Sequence, residues 1–403
     1  MRLLILILSA LMLSPVLAED NKKEKSPTVS PWLYKKLQKT DQLIAKKSYT
    51  QAEQKLKAIL PDAKEKSYEK TVILRSLSSV YALKGQYKKA ASMLAKAVAL
   101  KTLQKKQEQQ AILNLGQLYM AAEQYSKAIQ VLEPWLVNNS TPNAEISALT
   151  ANAYAQLKQY RKALPFIKKA IAKSKNPDES WYQLNLALYY ELDNYHSAAK
   201  LLQTMITMYP DKKEYWSQLS SIYQQLKQFK KATSIKHLAY KKGFITSEKE
   251  LLELVNLFLY INAPYKSAHL LEQSITNKKV KYSSTNWESL AHAWTLAKEY
   301  ERAIKALEIA SSLSSRGGLY QRLGQIYVEQ ERWEEAIQSF NKALSKGNLK
   351  NTGATYLLLG MSYYESQNNK QAKKAFLKAK QYNKNRNAAK QWLEFIKAPK
   401  RTL

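Results

Sequence analysis

The chain contains no cysteine. Disulfides and a lipid anchor on an N-terminal cysteine are therefore excluded. Glycine and proline are scarce, 9 and 11 in 403 residues, which argues against a loop-rich or β-rich fold. There are only four histidines, His196, His237, His269 and His292, with no two at metal-ligand spacing and no His-Glu-x-x-His string. A glycine-rich phosphate loop and a Gly-x-Ser-x-Gly elbow are also missing. Carboxylates are plentiful, yet none forms a pair that sequence marks as general acid and base. No catalytic residue, metal ligand or cofactor site is assigned, and the chain reads as a non-enzyme.

What is present is apolar and helix-forming. Hydrophobic residues make up 45% of the chain and charged residues 24%, enough for a large folded body. Ala, Leu, Lys and Gln dominate, all good helix formers. Residues 1–18 read as a cleaved signal peptide: Arg2 is the positive n-region, Leu3 to Leu13 the apolar run, and Val16-Leu17-Ala18 the cleavage site. The run is short for a membrane span. The expected location is the periplasm of a Gram-negative bacterium. Residues 19–31 are rich in Lys, Glu, Ser and Pro and read as a flexible leader.

The net charge is +32, from 64 Lys and Arg against 32 Asp and Glu. Export removes nucleic acid as a partner. Weak contact with an anionic envelope surface remains open, beside the plainer reading of lysines solvated on outer helices.

A spaced pattern recurs from Trp32 onward. Tyr215-Trp216 is followed by Leu219, Ser220, Tyr223, Phe229 and Ala232. The pattern returns at Trp287, Leu290, Ala291, Trp294, Tyr300 and Ala303, and again at Leu323, Gly324, Tyr327, Trp333 and Ala336. This is the tetratricopeptide (TPR) signature, with a spacing close to 34 residues. Small residues such as Gly116, Ala151, Gly324 and Gly360 let two helices approach, aromatics fill the space between helix pairs, and Ala90, Ala128, Ala163 and Ala232 seat the second helix on the first. The expected fold is all-α, a TPR superhelical solenoid of about ten helix pairs over residues 32–385, with a capping helix and tail over 386–403. The first pair is degenerate. In the seventh, Leu259, Pro264-Tyr265, Ala268 and Ile275 match the pattern poorly.

Most of the 27 tyrosines fall at signature positions and read as packing. Tyr190, Tyr260 and Tyr364 do not, and their register faces the groove lined by first helices. The groove-facing positions hold acids: Asp41, Glu145, Glu191, Glu214, Glu250, Glu253, Glu288, Glu329 and Glu365, with Arg75 as the base. Random placement would put roughly eight bases there. The candidate partner-binding groove is therefore Tyr190, Glu191, Glu214, Glu250, Glu253, Tyr260, Glu288, His292, Glu329, Tyr364 and Glu365, suited to an extended, lysine-bearing peptide.

Longer strings carry a more particular likeness: Asn176-Pro-Asp-Glu-Ser-Trp-Tyr-Gln-Leu, Tyr209-Pro-Asp-Lys-Lys-Glu-Tyr-Trp, Asn262-Ala-Pro-Tyr-Lys-Ser-Ala and Ala389-Lys-Gln-Trp-Leu-Glu-Phe-Ile. Together they resemble the periplasmic TPR proteins encoded with TonB energy-transduction systems of γ-proteobacteria, most densely from about residue 176 onward. The resemblance implies an adaptor that supports TonB-dependent uptake, for example of iron–siderophores. Its implied partners are TonB, ExbB, ExbD or an associated membrane protein. The competing expectation is a periplasmic TPR scaffold for envelope assembly, in polysaccharide export, pilus or outer-membrane biogenesis. The two share a fold, so the fold cannot separate them.

Overall fold

A computed structural model describes residues 28–65, 67–138 and 143–397. The signal-peptide reading, most of the leader and the tail after Lys397 lie outside the described residues. Within them the chain is helical throughout, with no strand. Helices come in pairs: α1 (Pro31–Ala45) with α2 (Tyr49–Ile59), α3 (Tyr68–Leu83) with α4 (Tyr87–Ala99), α5 (Lys105–Ala121) with α6 (Tyr125–Asn138), and α7 (Ala144–Gln156) with α8 (Tyr160–Lys173). Next come α9 (Glu179–Glu191) and α10 (Tyr195–Met208), α11 (Lys213–Gln225) and α12 (Phe229–Lys241), and α13 (Glu248–Tyr260) and α14 (Pro264–Thr276). The last pairs are α15 (Ser284–Leu296) with α16 (Tyr300–Ser312), α17 (Gly317–Glu329) with α18 (Trp333–Lys346), and α19 (Thr352–Glu365) with α20 (Asn369–Lys380). A single helix, α21 (Arg386–Lys397), follows a short 3-10 turn. No helix among the described residues is long and apolar enough to cross a membrane.

Two compact units make up the chain, one ending at Leu201 and one beginning at Leu202, so the division falls inside α10. Both are stacks of TPR-type helix pairs, the all-α fold that the repeat pattern predicts.

One turn closes every pair. Three residues separate the two helices, and the middle one is left-handed: Lys47, Gly85, Glu123, Lys158, Asp193, Lys227, Asn262, Lys298, Glu331 and Gln367, with φ between 52° and 71°. Two hydrogen bonds fix it, as in a Schellman C-cap. In the fourth pair the Lys158 N–H donates to the Ala155 carbonyl (2.9 Å) and the Gln159 N–H to the Tyr154 carbonyl (2.9 Å). The carbonyl acceptor of the longer bond is the signature aromatic itself at Tyr81, Tyr119, Tyr223, Trp294, Tyr327 and Tyr363 as well. The residue that fills the space between pairs thus also ends its own helix.

Helix starts divide by role. Seven first helices are capped by a side chain that accepts a backbone N–H, from Ser30, Ser67, Asn143, Asp178, Ser247, Ser283 and Asn351. Such a cap contributes about 1 kcal/mol. Second helices emerge from the tight turn, whose geometry already sets their start, and most lack a side-chain cap.

Volume is matched across each pair. A Cβ built on Gly324 would lie 2.6 Å from the Phe340 ring, and one on Gly360 2.6 Å from the Phe376 ring. Where the first helix carries serine instead, its hydroxyl reaches the facing backbone: Ser78 donates to the Ala90 carbonyl (2.8 Å) and Ser220 to the Ala232 carbonyl (3.0 Å), both buried.

The seventh pair departs from its sequence reading by one residue. The turn at Asn262 puts Phe258 in the aromatic place, where it is buried, and Pro264 at the first position of α14. Pro suits that position because its missing N–H would have had no partner there. Ser267, not Ala268, takes the place of the small residue, fully buried and donating to the Val255 carbonyl at 2.9 Å. The pattern is poor only when aligned on Tyr265, which instead packs edge-on against Trp294, centroids 5.3 Å apart.

Candidate functional site

The groove-facing residues separate into two groups once their partners are known. Tyr190 and Glu191 belong to the unit ending at Leu201, and the other nine to the unit beginning at Leu202.

Three of the acids are engaged within the chain, and the one-residue shift of the seventh pair takes two of them, Glu250 and Glu253, off the groove-facing register, where Lys249 and Leu252 stand instead. Glu250 completes a capping box at the start of α13: its carboxylate accepts from the Ser247 hydroxyl at 2.6 Å, while the Glu250 N–H donates back to that hydroxyl at 3.3 Å. The Ser247 hydroxyl holds the Glu250 carboxyl below the usual carboxylate range. Glu253 pairs with Lys236 of α12, whose side chain is largely buried. Glu288 is held from two sides, by Arg316 at 2.7 Å and Arg322 at 2.9 Å. These arginines lie beside the acidic set and offset it, although neither occupies a groove-facing place in the sequence register.

Two aromatics of the set are covered. Tyr364 packs against Trp392 and Phe395 of α21, with centroids 5.6 Å from each. Tyr190 is half-buried against Tyr195 (6.2 Å), and burial pushes its phenol up. Tyr260 lies on Phe229 (3.9 Å between centroids) but stays 66% exposed, so its outer face is free for a ligand. His292 is exposed.

The remaining acids are Glu191, Glu214, Glu329 and Glu365, all exposed. Glu214 sits in the first turn of α11, where the helix dipole favours a negative charge. Glu191, Glu329 and Glu365 are each the last residue of a first helix, just before its turn, and Tyr260 holds the same place in α13. A carboxylate at a helix C-terminus is disfavoured by about 0.3–1 kcal/mol. Glu191 is compensated by the Tyr160 hydroxyl, whose phenol is raised first by burial and then by that carboxylate. Glu329 and Glu365 make no ion pair among the described residues. Of the other groove-facing residues, Glu145 is exposed and Arg75 is half-buried, its guanidinium pushed down by burial, while burial raises the Asp41 carboxyl.

Lysines gather where they offset the dipole. Lys47, Lys158, Lys227 and Lys298 are themselves the left-handed turn residues, at the negative poles of four first helices. Part of the basic excess is therefore built into the turns. Among the described residues, no group of three or more His, Asp or Glu could hold a metal ion.

A tetratricopeptide-repeat model matches residues 113–178, and a second such model matches 318–345 and 354–394. These stretches contain the turns at Glu123, Lys158, Glu331 and Gln367. No curated protein matches the chain. Among solved structures, the chain is similar to MamA protein, at 20% identity over 46% of this chain and 98% of that one, TM-score 0.37. It is similar to YrrB, described as a TPR protein with an unusual peptide-binding site, at 12% identity over 49% and 100%, TM-score 0.38. It also resembles the Cut9–Hcn1 hetero-tetramer of APC/C, at 12% identity over 89% and 82%, TM-score 0.32.

Proposed function

We propose that this chain, which carries tetratricopeptide repeats, is a non-enzymatic adaptor that binds a protein partner on the face of its first helices. The observation that carries the proposal is the pair Glu329 and Glu365. Both are exposed at a helix pole that disfavours them, and neither makes an ion pair among the described residues. Residues held against their local electrostatics without a structural return are candidates for a partner. Tyr260, exposed at the same register in α13, adds an aromatic surface. A cationic, extended peptide fits this combination.

The specific assignment we favour is a periplasmic adaptor of a TonB-type energy-transduction complex, supporting TonB-dependent uptake. Its support is the four strings that resemble that family. In the structure these strings lie at helix starts, at a turn and in α21. Asp178 caps α9, accepting from the Ser180 N–H at 2.8 Å, and the Trp216 indole donates to the Pro210 carbonyl at 3.0 Å. The likeness therefore rests on how repeats are joined.

The test is a photo-crosslinking residue at position 329 or 365, used in intact cells, with captured proteins identified by mass spectrometry. Capture of TonB, ExbB, ExbD or their associated membrane protein is expected. Growth on an iron–siderophore should fail in a deletion strain and return on free iron. Capture of polysaccharide-export, pilus or outer-membrane assembly proteins, with siderophore growth intact, would replace the adaptor by the envelope-assembly scaffold.

A further inference from the structure

The most basic stretch of the described chain is not on the first-helix face. Between Ser366 and Lys397 there are nine Lys or Arg and one acid, Glu394. None of the nine makes an ion pair among the described residues, although Glu288, Glu301 and Glu335 elsewhere are all paired with arginine. Solvation alone would explain scattered lysines. Two of these are not scattered: Lys374 and Lys378 stand one turn apart on α20, on the rim of an open cavity of about 390 Å³.

The cavity lies between the second helices α18 and α20, with α19 beneath. Its floor is apolar and aromatic: Tyr356, Leu359 and Tyr363 follow one another at helical spacing along one face of α19. Asn341 of α18 closes the opposite side, its amide donating to the Tyr363 hydroxyl at 3.3 Å. The α21 helix does not cover this side. It packs on the other flank of α20, where Trp392 stacks on Phe376 with centroids 5.4 Å apart.

We propose that this cavity binds an acidic, amphipathic peptide segment of a partner protein. An apolar side chain of the peptide occupies the aromatic floor, and its carboxylates meet Lys374 and Lys378. Charge complementarity selects an acid, and the concave, aromatic floor selects a side chain over a flat lipid surface. The site is separate from the acids of the first-helix face and takes a ligand of opposite charge. One adaptor could then hold two partners at once.

The probe is a fluorescein-labelled peptide with Leu and Phe at i, i+3, i+4 and i+7 and Glu elsewhere, titrated by anisotropy against the full chain. Lys374→Glu with Lys378→Glu should weaken binding at least ten-fold. Lys373→Glu with Lys380→Glu, which makes the same charge change on exposed residues of α20 outside the cavity, should weaken it less than two-fold. Circular dichroism checks that both double variants keep their helicity. Equal losses in the two variants would overturn the proposal in favour of diffuse electrostatics. Failure of the unmodified chain to bind the peptide would overturn it outright. So would binding to phosphatidylglycerol vesicles that the peptide does not compete away, which would assign the lysines to a membrane surface.

Discussion

In the unit that begins at Leu202, a large apolar cluster runs from Trp216 to Ala375, through α11 to α20, and a small separate one around Phe376 joins α20 to α21. In the unit that ends at Leu201, the core is divided into separate clusters, around Leu33 and Leu77, around Tyr81 and Leu94, around Leu132 and Ile146, and around Tyr154 and Ile167. The same repeat builds both, and the bridging places differ at two successive pairs. In the first unit these are Tyr81, Tyr119, Tyr154 and Tyr189, and two of the hydroxyls end on carboxylates of the preceding pair. Tyr81 donates to Glu53 at 3.0 Å and Tyr154 to Glu133 at 2.6 Å, with burial foremost in pushing the Tyr154 phenol up to about 12. In the second unit, Phe258 and Trp294 hold two successive bridging places and carry no hydroxyl. Tyr327 lies inside the continuous cluster all the same, so a hydroxyl alone does not interrupt the seam; what the first unit adds is the carboxylate set against it. Stacked repeats couple through their interfaces, so a continuous seam implies longer-range cooperativity than a broken one.

The strongest way to break this comparison is Trp294→Ala. Trp294 is fully buried, and its loss should cost about 3–5 kcal/mol in urea unfolding. Amide exchange should rise together across α13 to α18, because the seam is shared. Tyr154→Ala, at the equivalent place in the other unit, should raise exchange only from α6 to α8. If Trp294→Ala loosens α15 and α16 alone, the continuous seam has no energetic meaning. Trp294→Phe sharpens the reading: the indole N–H it removes has no acceptor in the structure, so the loss should be much smaller.

Next in size is an acid-sensitive joint confined to the first unit. Glu53 accepts from Lys84 at 2.6 Å and pairs with Lys57 at 2.7 Å, and with Tyr81 these lysines hold its carboxyl down at about 2. The folded value lies below the unfolded one, so this stabilisation is complete above the ordinary range near 4.5 and fades as pH falls toward 2. Glu53→Gln should cost about 1.5–3 kcal/mol at pH 7, the worth of hydrogen bonds to a charged group. The gap between variant and parent should close over that acid interval. A gap that stays constant down to pH 2 would mean that the carboxylate charge is not what joins α2 to α3.

How much of this was legible in the sequence depends on range. The helix pairs, their number and the seating of Ala90, Ala163 and Ala336 follow from spacings of a few residues within one repeat, and each of these alanines is fully buried. The seventh pair was misaligned by one residue because Pro264 and Ser267 perform with other chemistry what an aromatic and an alanine perform elsewhere. The acidic face is legible as a register outside the seventh pair, where the same misalignment put Glu250 and Glu253 in places that Lys249 and Leu252 hold, but its neutralisation is not. Lys236 lies 17 residues from Glu253, and Arg316 lies 28 from Glu288, on separate helices that only packing brings together. Tyr364 read as open because the helix that covers it, α21, was placed by sequence at the end of the stack but not onto a particular side chain.

The smallest effect tests what the two units share. Lys158 and Lys298 hold the left-handed turn position at φ 57° and 61°, one in each unit. A side chain there costs roughly 1–2 kcal/mol that glycine avoids. Glycine returns about 0.5–1 kcal/mol of that through the greater freedom of the unfolded chain. It also gives up the lysine charge at the helix pole, a few tenths of a kcal/mol. Lys158→Gly and Lys298→Gly should therefore each stabilise the protein by about 0.5 kcal/mol, measured by the midpoint of urea unfolding. The turn is identical in both units, so the two gains should be equal even though the cores around them differ. A gain at one site and a loss at the other would show that the turn's energy depends on its core. The Schellman cap could then no longer be treated as a local, transferable part of each repeat.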